Sequence, residues 1–149
     1  MHARTKKEFE KLLSAIFATR RLVRQKLAVR GGIDIHYWLH LEALRFIGEE
    51  QGVTMQGLAR HLSITAPSAT SLAHKLIHSG FVRRVRGKDR RVVRLEISSR
   101  GAREIVRGRR MTRNAFSEVF GELSVSEIRT LVRLMQKAVQ TGDGASYRS

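Results

Sequence analysis

The sequence predicts a mainly α-helical chain with one small β-hairpin, and three observations predict it. Apolar residues recur at three- and four-residue spacing along most of the 149 positions, the period of a single helix face. Glycines and small hydroxyl residues separate these stripes, where helices stop and start. Between Phe81 and Ile97 the pattern changes to two short extended runs about Gly87-Lys88-Asp89, which has turn chemistry.

The first helix is expected over 5–29. Phe9, Leu12, Leu13, Ile16 and Phe17 form its stripe, Val23 and Leu27 continue it, and Gly31-Gly32 ends it. A second runs over 34–50, with Asp34 able to cap it. Ile35, Trp38, Leu39, Leu41, Leu44, Phe46 and Ile47 make it apolar on more than one face, which predicts a central buried helix. Gln51-Gly52 breaks the chain again.

A short helix over 55–62 follows. Thr54 can accept a hydrogen bond from its first turn, and Val53 and Leu58 stand where a hydrophobic staple closes. Ser63-Ile64 makes a tight turn. Thr65 caps the next helix, which tolerates Pro67 in its first turn and ends at Gly80. Ala69, Leu72, Ala73 and Leu76 share its inner face, and Pro67, Ser71, His74 and His78 lie opposite. The hairpin pairs 81–86 with 91–97. Val92 and Val93 break strict alternation, so its register stays open.

Ser98 can cap a long helix to about Phe120, apolar along Ala102, Ile105, Val106, Phe116, Val119 and Phe120. Ser124-Val125-Ser126-Glu127 is a capping box, with Leu123 and Ile128 as its staple. Ile128, Leu131, Val132, Met135 and Val139 form the last stripe, and the final residues are small and polar.

Composition narrows the partners. Twenty-nine Lys and Arg against thirteen Asp and Glu leave a net charge of +16. A folded chain tolerates such self-repulsion most readily when its partner is a polyanion, nucleic acid first and an anionic membrane surface second. The absence of cysteine excludes disulfides, thiolate zinc sites and thiol redox switches. No apolar run reaches transmembrane length, and Met1 to Lys7 lacks the apolar stretch of a secretory signal. A cytoplasmic location is the default expectation.

The order helix, helix, short helix, tight turn, helix, hairpin, helix, helix is that of a winged helix-turn-helix. In that arrangement the second helix of the pair faces a DNA major groove and the hairpin reaches the adjacent minor groove. Leu58-Ala59-Arg60-His61-Leu62, Ile64-Thr65, Ala69, Leu72, Leu76 and Gly80-Phe81-Val82 stand in the register of one known family. Asp89-Arg90-Arg91 followed by Ile97-Ser98 and Gly101 matches its wing signature, D-x-R leading to L-T-x-x-G, with Ile for Leu and Ser for Thr. On these residues, over about 34–101, the chain resembles the MarR family of transcriptional regulators.

The resemblance implies a two-fold homodimer. Residues 34–98 would be the winged DNA-binding region, 5–30 and 99–141 the dimerisation helices, and 142–149 a flexible tail. The expected partner is double-stranded DNA carrying a pseudo-palindromic operator, its half-sites about 10 bp apart or a multiple of that.

Thr65, Ala66, Pro67, Ser68, Thr70, Ser71, His74 and Lys75 avoid the core face of the recognition helix and are the candidate groove residues. In the hairpin Arg83, Arg84, Arg86, Lys88, Arg90, Arg91 and Arg94 outnumber Asp89 and Glu96. The resemblance assigns Arg91 to the minor groove, oriented by Asp89. The first turns of the recognition helix hold no Arg, Asn or Gln, the residues that discriminate bases by bidentate bonds. Phosphate contacts and DNA shape are therefore expected to carry much of the affinity. Arg100, Arg103, Arg107 and Arg110 form a second stripe, which reads equally as a backbone contact or a solvated face.

His36 with His40, and His74 with His78, have the spacing of helical metal ligands, but neither pair has a further ligand nearby. No metal or other cofactor is expected. His36, Tyr37 and His40 are instead candidates to line a cleft which, in the family, takes small aromatic or phenolic effectors. No phosphate-binding loop, paired carboxylates or nucleophile arrangement points to an enzyme. The expected function is a sequence-specific regulator, a repressor relieved by a small molecule. A constitutive or architectural DNA-binding protein without an effector is the alternative.

Overall fold

Four hydroxyl side chains mark where helices begin. The structure, a computed structural model, describes residues 3–31, 37–86 and 93–145. Its helices are α1 (Ala3–Gly31), α2 (Tyr37–Glu49), α3 (Met55–Leu62), α4 (Ala66–His78), α5 (Ser99–Phe120) and α6 (Val125–Ala145). The strands are β1 (Val53–Thr54), β2 (Val82–Arg86) and β3 (Val93–Ile97). Thr54, Thr65 and Ser98 accept from the backbone N–H three residues on, at 3.0, 3.4 and 3.0 Å. Ser124 does the same at 3.3 Å, and its own N–H donates to Glu127 Oε2 at 2.8 Å. Each such cap satisfies an N–H the helix itself leaves without a partner and contributes about 1 kcal/mol.

The three strands form one antiparallel sheet in the order β1-β3-β2. Val82 pairs with Ile97, Arg84 with Leu95 and Arg86 with Val93, which fixes the hairpin register. On the other edge Val53 faces Leu95 and Thr54 faces Arg94. That third strand was not expected from the sequence, where Val53 and Thr54 read only as a staple and a cap.

Apolar residues from α2 (Ala43, Leu44, Ile47), α3 (Leu58), α4 (Leu72, Ala73, Leu76) and the strands (Val53, Val82, Leu95) make one core. This unit presents α4 and the hairpin outward. Helix α2 is central to this core as expected, but its apolar Trp38 is 42% exposed, its ring edge-on to Phe116 at 6.0 Å. The expected Asp34 cap lies outside the described residues.

The terminal helices are packed differently. Val23 and Leu27 of α1 meet Ala115 of α5 in a small second core, reinforced by Lys26 and Glu118 at 3.3 Å. The N-terminal half of α1 leaves Phe9, Leu12, Leu13, Ile16 and Phe17 exposed. Among the described side chains of α6 none is fully buried, and Ile128, Val132, Met135 and Val139 are exposed. It continues to Ala145, beyond the end expected near 141, and residues 146–149 are outside the description. No described helix is long and apolar enough to cross a membrane.

Candidate nucleic-acid interface

The turn between α3 and α4 is closed by the backbone itself. Ser63 adopts a left-handed conformation, φ 53° and ψ 42°, and its N–H donates to the Arg60 carbonyl at 3.1 Å. The N–H of Ile64 donates to the Ala59 carbonyl at 3.1 Å, so the chain leaves α3 without orphaned carbonyls at the bend. Thr65 then opens α4, its hydroxyl 2.8 Å from that of Ser68, with Pro67 in the first turn.

Burial divides α4 along its length. Ala69, Leu72, Ala73 and Leu76 are buried, whereas Thr65, Ala66, Pro67, Ser68, Thr70, Ser71, His74 and Lys75 are all exposed. The candidate groove residues therefore share one continuous solvent face. Strand β2 runs beside it, with Arg83, Arg84 and Arg86 exposed. Arg83 lies 3.8 Å from Glu96 across the hairpin, an open pair of little energetic weight. Arg84 turns instead toward α4, and its Nη2 donates to Nε2 of His74. A guanidinium can only donate, so in this bond Nε2 of the imidazole is the acceptor. Recognition helix and wing strand are thus joined by their own candidate DNA-contacting side chains. The expected wing-tip residues Lys88, Asp89, Arg90 and Arg91 lie outside the described residues.

Behind the interface, the residues of the L-T-x-x-G-like signature have a mechanical role. The N–H of Phe81 donates to the Leu76 carbonyl at 2.9 Å, and Gly80 takes φ +73°, a conformation glycine adopts without strain. The Ser98 hydroxyl donates to the Gly80 carbonyl at 2.6 Å while accepting from Gly101 N–H. A Cβ on Gly101 would stand 2.1 Å from the Phe81 carbonyl oxygen, so only glycine allows α5 this close. One hydroxyl therefore fastens the end of α4 to the beginning of α5. Sequence reading found Ser98 as a cap but not this second bond, because Gly80 lies eighteen residues away.

At the start of α2, Tyr37 donates through its hydroxyl to Glu104 Oε1 of α5 at 2.9 Å. Arg107 Nη1 reaches both oxygens of the same carboxylate, at 3.2 and 3.3 Å. Burial, then the hydrogen bond to Glu104, push the Tyr37 phenol from 10.0 up to about 12. Glu104 carried no sequence signal, since an acid set among arginines on a basic helix reads as a solvated charge. His40 is half-buried near this junction, and His36 is outside the description. Of the second arginine stripe, Arg100 stacks over Phe81 at 5.2 Å and Arg107 serves Glu104, while Arg103 and Arg110 are exposed. Among the described residues no three His, Asp or Glu side chains converge as metal ligands would.

Residues 37–93 match the model of the MarR family. A MarR family protein from Bacillus stearothermophilus is 27% identical with a TM-score of 0.75, the match covering 96% of this chain and 99% of that one. FabT of Streptococcus pneumoniae, solved in complex with DNA, is 23% identical with a TM-score of 0.71 over 94% and 99% of the two chains. A Mycobacterium tuberculosis MarR family protein, solved with p-aminosalicylic acid, is 22% identical with a TM-score of 0.64 over 85% and 97%. The sequence matches none of the curated proteins. The chain thus carries a MarR-family domain, and it has the winged helix-turn-helix fold of that family's DNA-binding transcriptional regulators.

Proposed function

We propose that the protein binds double-stranded DNA as a homodimer at a pseudo-palindromic operator and acts there as a repressor relieved by a small-molecule effector. The observation that carries this reading is the shared surface of α4 and β2. The polar face from Thr65 to Lys75 and the guanidinium groups of Arg84 and Arg86 lie on neighbouring elements, on a chain of charge +16. Thr65, Ser68, Thr70 and Ser71 bond phosphates or base edges, and Ala66 and Pro67 meet thymine methyl groups. Lys75 adds a phosphate contact. Arg91, oriented by Asp89 and flanked by Lys88 and Arg90, enters the minor groove, where negative potential is concentrated.

The homodimer is supported by the large apolar side chains that α1 and α6 leave exposed, from Phe9 to Phe17 and from Ile128 to Val139, since exposed apolar patches mark interaction sites. The effector rests on the junction of Tyr37, Glu104 and Arg107 together with half-buried His40. It also rests on the M. tuberculosis relative solved with p-aminosalicylic acid, whose aromatic ligand sets the class to test. Nothing in the chemistry of the site calls for catalysis, and the reading is of a binding protein.

One observation favours a second reading. The first turns of α4 offer hydroxyls, Ala and Pro but no bidentate side chain, which suits an architectural protein of low base discrimination without an effector. Footprinting separates the two: a discrete two-fold footprint supports the regulator, and sequence-indifferent coating overturns it. If about six phosphates are contacted, affinity drops about 1,000-fold between 50 and 200 mM salt. Arg91→Ala should weaken binding at least tenfold while the dimer persists. A dimer lost with that substitution overturns the assignment of Arg91 to the groove.

A further inference from the structure

The contact between His74 and Arg84 has an unusual composition for its place. Both side chains are exposed on the candidate DNA surface, yet each occupies the other's hydrogen-bonding group. While paired, each offers less to a ligand than it would alone.

The surroundings of His74 are cationic. Lys75 and His78 flank it on α4, Arg83, Arg84 and Arg86 stand on β2, and Arg60 and His61 belong to α3, which packs against α4. Among the described residues, Glu96 lies beside Arg83 and Glu42 is with His61 at 3.1 Å. A protonated His74 would set a second cation against Arg84. A phosphodiester supplies an anion between them: one nonbridging oxygen accepts from Arg84, and the other accepts from Nε2–H once the ring is protonated.

We propose that His74 and Arg84 form a proton-coupled phosphate clamp, closed on itself in the free protein and opened by a DNA backbone phosphate that inserts between them as His74 takes up a proton. This rests on the reading of α4 and the wing as a DNA surface, and adds to it a ligand atom and a linked proton. The proton comes from solvent and ends on Nε2, while Nδ1 keeps its own. Histidine is the side chain that ordinarily changes charge between about pH 5 and 8, which sets the pH range of the test. Each proton taken up makes affinity rise by at most tenfold per pH unit, and a symmetric dimer takes up two.

The test measures affinity of the full chain for a mixed-sequence duplex of about 30 bp, long enough for two half-sites, at pH 8 and pH 6 and constant ionic strength. The wild type is expected to bind at least tenfold tighter at pH 6. His74→Gln keeps a hydrogen-bonding side chain that cannot titrate, and should lose most of that gain, whereas His78→Gln should keep it. Calorimetry in two buffers of different ionisation enthalpy should record proton uptake by the wild type near pH 7, absent in His74→Gln. Equal pH dependence in wild type and His74→Gln overturns the clamp and leaves the DNA-binding reading intact. Absence of binding by the wild type at both pH values, at low salt, overturns both.

Discussion

Gly101 shows how one missing methyl group can decide a geometry. Its Cα lies so close to the Phe81 carbonyl that any side chain forces α5 away from the end of α4. Backbone, unlike a side-chain tip, has little room to yield. Gly101→Ala should therefore cost about 3 kcal/mol, the upper range for overpacking, read as a lowered urea midpoint. Tyr37 gives a second test with a definite sign. Its folded phenol sits at about 12 against an ordinary 10.0, so the native state holds the proton longer than the unfolded state. The linked stability is complete below pH 10 and is lost as pH rises from about 10 to 12. Phenolate absorbance assigned by comparison with Tyr37→Phe should appear only near the top of that window. An ordinary titration for Tyr37 would refute the bond to Glu104.

The helices were legible from their ends inward. Thr54, Thr65, Ser98 and Ser124 are local signals, each acting on an N–H three residues away, and all four cap as their sequence context predicts. Strand β1 was illegible for the opposite reason: its two residues gain meaning only from Leu95 and Arg94, some forty positions on. The hairpin register was likewise fixed by pairing and not by the alternation that Val92-Val93 interrupts. At the candidate site, the exposed face of α4 could be read from periodicity. The partners Glu104 of Tyr37 and Arg84 of His74 could not, because such contacts depend on tertiary placement. The turn between α3 and α4 carries a prediction of its own. Ser63 is the one described non-glycine residue with positive φ, a conformation that costs an L-residue about 1–2 kcal/mol. Glycine removes that cost but loses more chain entropy on folding. Ser63→Gly should stabilise the protein by about 0.5–1 kcal/mol, measured by denaturant unfolding.

At the scale of the whole molecule, the winged unit holds the main core, and α1 and α5 share only a small one. Phe17 is 57% exposed and Met135 58%, and α6, none of whose described side chains is fully buried, gains little stability from packing within the chain. Association supplies it in the proposed homodimer. The thermal midpoint should then rise with protein concentration, as it must when the folded form is an oligomer. Met135→Glu should weaken association, visible as a lower mass in light scattering and as a lower midpoint at equal concentration. A wild-type midpoint independent of concentration would contradict the dimer.

The Ser98 oxygen held between the Gly80 carbonyl and the first turn of α5 makes a rigid corner. Helix α5 has 22 residues, a rod of about 33 Å at 1.5 Å per residue. Swinging that rod by about 10° about its distant end carries the corner, and α4 with it, through about 6 Å. Adjacent base pairs are about 3.4 Å apart, so a tilt of that size would put α4, in its proposed role, nearly two steps out of phase with a DNA groove.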